Sequence, residues 1–183
     1  MRKSASLVLL ATTGLSLVPA SAAAKPKDWQ RVSDIGAAVL VIGSLGLPVA
    51  KRDTNGLIQA AESLALTSLV TEGLKQAFPK TRPDGSDRKS FPSGHTSRAF
   101  TSAATIYRRY GPAYGVPAFA MASLVGVARV KGKKHFWVDV LAGAVIGTSA
   151  GFLVTRKRGN DQRAVLIPWG DTKSAGLTFA MRF

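Results

Sequence analysis

Two histidines, His95 and His135, stand among fixed cations in a way that suggests phosphate chemistry. His95 lies in Phe91-Pro92-Ser93-Gly94-His95-Thr96, with Lys75 and Arg82-Pro83 upstream; Arg129 precedes His135 by six positions and Asp139 follows it by four. Arg and Lys neutralise phosphoryl oxygens, Arg in bidentate fashion, and free N–H groups at a helix start add donors. An imidazole oriented by a carboxylate can attack phosphorus while a second protonates the leaving oxygen. Such a set needs no metal. Each feature also has a plain reading: Lys75 as a solvated helix-end charge, Arg82-Pro83 as a loop, and His135/Asp139 as an i,i+4 helix pair worth a few tenths of a kcal/mol.

The elements that must position these groups are helical. Ser93 is a good N-cap, and Phe100, Ala103, Ala104 and Tyr107 recur at helical spacing, so His95 belongs in or just before the first turn of a helix running to about Arg109. Upstream lie an uncharged segment, 35–50, and a second helix, Leu57 to Phe78. In the latter, Gln59, Ser63, Thr67, Thr71 and Lys75 step by four, a polar stripe that faces protein and carries Lys75 to the far end. Residues 79–92 read as a loop punctuated by prolines and Asp84-Gly85-Ser86. An apolar segment, 113–127, ends at Arg129, and a last long helix runs from near His135 to about Thr155. Its face continues from Asp139 as Gly143, Gly147 and Gly151, a surface for close packing. Lys131, Lys133, Lys134, Arg88 and Lys89 read as a solvated rim.

The 183 residues suit one domain, and the absence of cysteine removes disulfides and thiolate metal sites. A net charge of +15 alongside 46% hydrophobic residues favours an anionic membrane surface or anionic substrate over nucleic acid. Arg2 and Lys3, an apolar run from Leu7 to Val18 and small residues around Ala22 and Ala24 make residues 1–24 an export signal; an uncleaved membrane helix is the alternative. The uncharged segments are shorter than the ~20 residues of a usual span. Basic clusters at Lys51-Arg52, Arg108-Arg109 and Arg156-Lys157-Arg158 nevertheless fall on alternate helix ends, which puts the histidine end outside if the chain is membrane-inserted. A soluble periplasmic bundle is the other reading. After Asn160, Ala164 to Trp169 and alternating Leu177, Phe179, Met181 and Phe183 read as a β-hairpin.

Lys75, six residues, Arg82-Pro83; then Pro92-Ser93-Gly94-His95; then Arg129, five residues, His135, three residues and Asp139 resemble the three-part signature of the type 2 phosphatidic acid phosphatase superfamily. That superfamily also holds bacterial acid phosphatases and vanadium haloperoxidases. The resemblance implies an all-α bundle of about five core helices, a phosphatase domain over 33–158 and a tail, 159–183, with the short hairpin. It implies a phosphoric monoester hydrolase or lipid (pyro)phosphate phosphatase that needs no metal; the apolar helices, the basic rim and the sidedness of the basic clusters then point to the periplasmic face of the inner membrane and to a phosphorylated lipid, isoprenoid or small phosphate ester as substrate. By similarity His135 is the nucleophile forming a phosphohistidine, Asp139 holds its ring, His95 is the general acid, and Lys75, Arg82, Ser93, Gly94 and Arg129 cradle phosphate. One departure is Ala128, where the family usually has Ser before the third-motif arginine. Alternatives are a soluble broad-specificity acid phosphatase and a haloperoxidase, the only reading in which vanadate is a cofactor. From other classes come a metal site on His95, His135 and Asp139 and a non-enzymatic envelope protein.

Overall fold

The computed structural model describes residues 24–159, 164–170 and 175–181. The signal-like stretch therefore lies, but for Ala24, outside the described residues. Five helices follow in order: α1 Pro26–Ala50, α2 Thr54–Ala77, α3 Gly94–Tyr110, α4 Pro112–Lys131 and α5 Trp137–Val154. The all-α architecture expected from the sequence is what the chain adopts.

Helix α1 opens nine residues before the uncharged run, because Pro26 in the first turn is pre-set for a helix and the Asp28 carboxylate accepts from the Lys25 amide (3.0 Å). Hydropathy alone could not see those charged opening turns. Helix α2 is capped by Asp53, whose carboxylate accepts from the Gly56 amide (3.0 Å). Gly111, at φ 87°, makes the sharp break between α3 and α4, and Pro112 starts the next helix.

The bundle is organised around α3, against which all four other helices pack. Its buried positions are small: Ala99, Ala103 and Ala104 are fully buried, as are Thr96, Ser97, Thr101 and Ser102. Helix α5 comes closest because its glycines face the α3 backbone. A Cβ on Gly147 would sit 2.1 Å from the Ser97 carbonyl oxygen, and one on Gly143 2.7 Å from that of Ser93. The polar stripe of α2 also turns inward. Thr67 and Thr101 hydroxyls meet at 2.7 Å, Thr71 and Ser97 at 3.0 Å, and Ser63 and Thr155 at 3.4 Å. On the α1 side, Ser44 bonds Ser102 at 3.2 Å.

The outside is apolar. Ile35, Ile42, Leu69, Leu141, Val145 and Leu153 are all more than 60% exposed. Helices α1, α4 and α5 are each long and apolar enough to cross a membrane. Hydroxyls inside and branched aliphatics outside are the make-up of an integral membrane bundle, where lipid solvates the apolar face.

Two extended segments, β1 Ala164–Gly170 and β2 Ala175–Met181, pair antiparallel with Ala164 opposite Met181. The expected hairpin is unsupported as part of the helical fold, and residues 171–174, between the two segments, lie outside the described residues.

Candidate active site

The end of α2, the starts of α3 and α5, and the 79–93 and 132–136 loops meet at one end of the bundle. The first loop is tied back on itself: Ser90 donates its amide to the Lys80 carbonyl (2.9 Å) and Arg82 donates its amide to that of Asp87 (3.0 Å). Arg82 Nε also holds Asp87 Oδ1 at 2.7 Å, which turns the guanidinium inward. Lys134, read from sequence as a rim residue, pairs with Asp84 at 2.6 Å and joins this loop to the one before α5. A cavity of about 310 Å³ opens between them, lined by Arg82, His95, Arg129 and Lys134 from the basic side and by Asp34 and Asp87 from the acidic side.

His135 precedes α5 by two residues and is 2% exposed. Its Nδ1 lies 2.7 Å from the Ser90 carbonyl oxygen. A carbonyl can only accept, so Nδ1 carries the proton and Nε2 keeps its lone pair. Nε2 is 3.2 Å from Arg82 Nη1, which donates to it. Burial, then the charges of Arg129 and Arg82, push the ring down to about 3, so it is neutral across the physiological range. A neutral imidazole whose unprotonated Nε2 is held by a guanidinium becomes a competent phosphorus nucleophile once that guanidinium turns to a phosphoryl oxygen.

Asp139 stands differently from its expected place against the ring. Its Oδ2 is 3.9 Å from His135 Nδ1, beyond hydrogen-bond reach. The carboxylate instead accepts from Ser90 Oγ (2.6 Å), the Phe136 amide (2.9 Å) and Lys80 Nζ (2.7 Å). It thereby fixes Ser90, and the Ser90 main chain fixes the imidazole. Neither Ser90 nor Lys80 was singled out by the sequence: the operative group on Ser90 is a backbone oxygen, which every residue type supplies.

His95 lies in the first turn of α3, with Nε2 3.1 Å from Asp34 Oδ1. Burial first, then Arg129, lower it to about 4, against the opposing charge of Asp34. Arg129 is buried; its Nη1 reaches Ser33 Oγ (3.2 Å) and Asp34 Oδ1 (3.1 Å), and its Nε has no hydrogen-bond partner among the described residues. Lys75 Nζ is tied to the main-chain carbonyls of Pro92 and Lys89. Ser93 is fully buried as the N-cap of α3, bonded to the Thr96 hydroxyl at 2.9 Å, and its amide donates to the Asp139 carbonyl at 2.9 Å. A Cβ on Gly94 would lie in ordinary contact with Lys75 and Arg98. All eight residues singled out by the sequence therefore gather at this end. Arg82, His95 and Arg129 line the open cavity, His135 sits behind Arg82, and Lys75, Ser93 and Asp139 brace the loops. Ala128 is fully buried in α4 and does not line the cavity. Among the described residues, no group of three or more His, Cys, Asp or Glu side chains could hold a metal ion.

The chain is 37% identical over 100 residues to a Porphyromonas gingivalis lipid A 1-phosphatase, covering 53% of this chain and 22% of that one. It is 31% identical over 140 residues to a Helicobacter pylori lipid A 4'-phosphatase, covering 70% of this chain and 69% of that one. The chain thus spans about a fifth of the first relative's length and about two thirds of the second's. Among solved structures, it resembles Aquifex aeolicus LpxE with a TM-score of 0.61 at 24% identity, covering 70% of this chain and 84% of that one. It resembles a transmembrane PAP2 type phosphatidylglycerolphosphate phosphatase from Bacillus subtilis with a TM-score of 0.57 at 25% identity, covering 70% of this chain and 74% of that one. Residues 56–163, more than half of the chain and the stretch that carries all eight gathered residues, match the PAP2 superfamily model, and the chain belongs to the PAP2 superfamily.

Proposed function

We propose that this protein is a metal-independent phosphatase of phosphorylated lipids, working through a phosphohistidine on His135. The observation that carries the reading is the buried imidazole whose Nδ1–H donates to the Ser90 carbonyl, leaving unprotonated Nε2 aimed at a guanidinium. In the first step His135 Nε2 attacks phosphorus while Arg82 and Arg129 hold the nonbridging oxygens. The bond to the lipid oxygen breaks, and that oxygen takes its proton from His95. In the second, His95 accepts a proton from water as the water attacks phosphorus, returning free His135 and inorganic phosphate. Asp139, Ser93 and Lys75 position the two histidine loops, Gly94 opens the helix that carries His95, and no step passes through a metal.

A lipid substrate is supported by the apolar outer surface, by the three helices of membrane-crossing length and by the lipid phosphates in the names of the relatives. The basic clusters support a site facing the periplasm, with residues 1–24 directing export. The decisive measurement is phosphate release by the purified protein in mixed micelles from lipid A, phosphatidylglycerolphosphate and p-nitrophenyl phosphate, with chelator present. We expect turnover of at least one lipid phosphate by the wild-type chain, and a loss of about 10³-fold or more together with the phosphoenzyme in His135→Ala. Full activity in that variant, or no lipid turnover by the wild type, refutes the proposal.

A further inference from the structure

Asp34 belongs to none of the three motifs and to none of the residues matched by the family model, since it rides on α1. Its side chain is 56% exposed, yet a single oxygen, Oδ1, lies 3.1 Å from both His95 Nε2 and Arg129 Nη1. One carboxylate oxygen therefore bridges the cation and the imidazole that the proposed mechanism gives to phosphate and leaving group. A carboxylate oxygen matches a phosphoryl oxygen in charge and acceptor geometry. It is also an incomplete ligand, because Arg129 is buried and its Nε has no hydrogen-bond partner among the described residues.

We propose that Asp34 is an internal competitor for the phosphate subsite: its carboxylate meets the same Arg129 and His95 nitrogens that a phosphoryl oxygen needs and must be displaced by the phosphate group of the substrate. The inference rests on the phosphatase reading for its consequence, but its geometry stands alone. An anion binding between Arg129 and His95 meets both a filled site and a like charge. Free inorganic phosphate, the product, has only that site to hold it and suffers the competition in full. A lipid phosphate is also held by its tails, so it can expel the carboxylate and remain bound. Asp34 thus sets specificity for tethered over free phosphate and keeps product from blocking the site.

The test is the dissociation constant of inorganic phosphate for the full chain in detergent, by calorimetry, with its inhibition constant against lipid turnover. Asp34→Asn and Asp34→Ala should both tighten phosphate by about threefold to tenfold, the scale of a half-exposed ion pair. A variant that merely damaged the fold would weaken binding, so a gain is diagnostic. Unchanged or weaker phosphate binding in both variants overturns the proposal. Tighter binding in a chain that hydrolyses no lipid phosphate would sustain the competitor and refute the phosphatase.

Discussion

At the scale of residues, the two imidazoles differ in what they need to do. His135 is lowered to about 3 and must be neutral to attack; His95 is lowered to about 4 and must be protonated to donate. In the free protein both conditions hold together only in a narrow acidic window, between those two values. Much of the depression of His95 comes, after burial, from Arg129, Arg98 and Arg82. A bound phosphoryl anion offsets those charges and raises His95, so the window widens in the complex. The alkaline limb of the kcat profile should therefore sit about one pH unit or more above that of kcat/KM, and His95→Asn should remove it; coincident limbs in the wild type would contradict the assignment. His95, His135 and the cations were legible in sequence because side-chain type and spacing announce them. The Ser90 carbonyl was not, having no side-chain signature. Nor was Asp34, since three-dimensional closure of α1 on α4 is what brings it to Arg129.

At the scale of elements, the seam between α3 and α5 is the tightest in the bundle. The i,i+4 glycines were visible as a packing face, and the structure adds which atoms they meet. At Gly147 the neighbours are backbone atoms, the Ser97 oxygen at 2.1 Å and the Thr101 nitrogen at 2.8 Å from an added Cβ, and these cannot swing aside. Gly43, on α1, has nothing within 4 Å of an added Cβ. Gly147→Ala should accordingly destabilise by about 1–3 kcal/mol through overpacking, whereas Gly43→Ala should be neutral or stabilise by a few tenths up to about 1 kcal/mol through helix propensity. Thermal unfolding in detergent compares them; equal melting shifts would show that the seam has slack. Because the Ser93 amide bonds the Asp139 carbonyl across this seam, Gly147→Ala should also lower activity. Helix ends were the least legible feature. Charged opening turns, as in α1, carry no hydropathic signal, and His135 proved to lie before α5 because Phe136, bonded through its amide to Asp139, occupies the cap.

At the scale of the whole molecule, the end opposite the site holds a buried ion pair between Asp53 and Arg109. Arg109, 2% exposed, grips both oxygens of Asp53, with Nε at 2.7 Å from Oδ2, and Tyr110 donates to the same oxygen at 2.9 Å. The Arg109 bonds hold the Asp53 carboxyl well below the ordinary carboxylate range. A depressed carboxylate stabilises the fold fully above its unfolded value near 4 and loses that contribution as pH falls toward its folded value. Asp53→Asn removes the carboxylate charge that both Arg109 and Tyr110 meet and should destabilise the fold by up to about 3–5 kcal/mol. Its KM for substrate should match the wild type when measured below its melting temperature, since the site lies at the other end; a large change in KM would mean the two ends communicate. The alternation of basic clusters had already separated these ends in the sequence. That Arg109 turns inward could not be read there, because Arg108 beside it has the same chemistry and only the helix phase against Asp53 distinguishes them.

The inward hydroxyls of Ser44, Ser63, Thr67, Thr71, Ser97 and Thr101 have a thermal consequence. In a bilayer, separating these helices would exchange hydroxyl pairs and close backbone contact for contact with lipid tails, with little apolar surface passing into water. The heat-capacity change of unfolding comes mostly from hydrating such surface. Helix separation within the membrane should thus be nearly linear in temperature. The bundle would then keep its cohesion in the cold, where a water-soluble core of the same size loses part of its driving force.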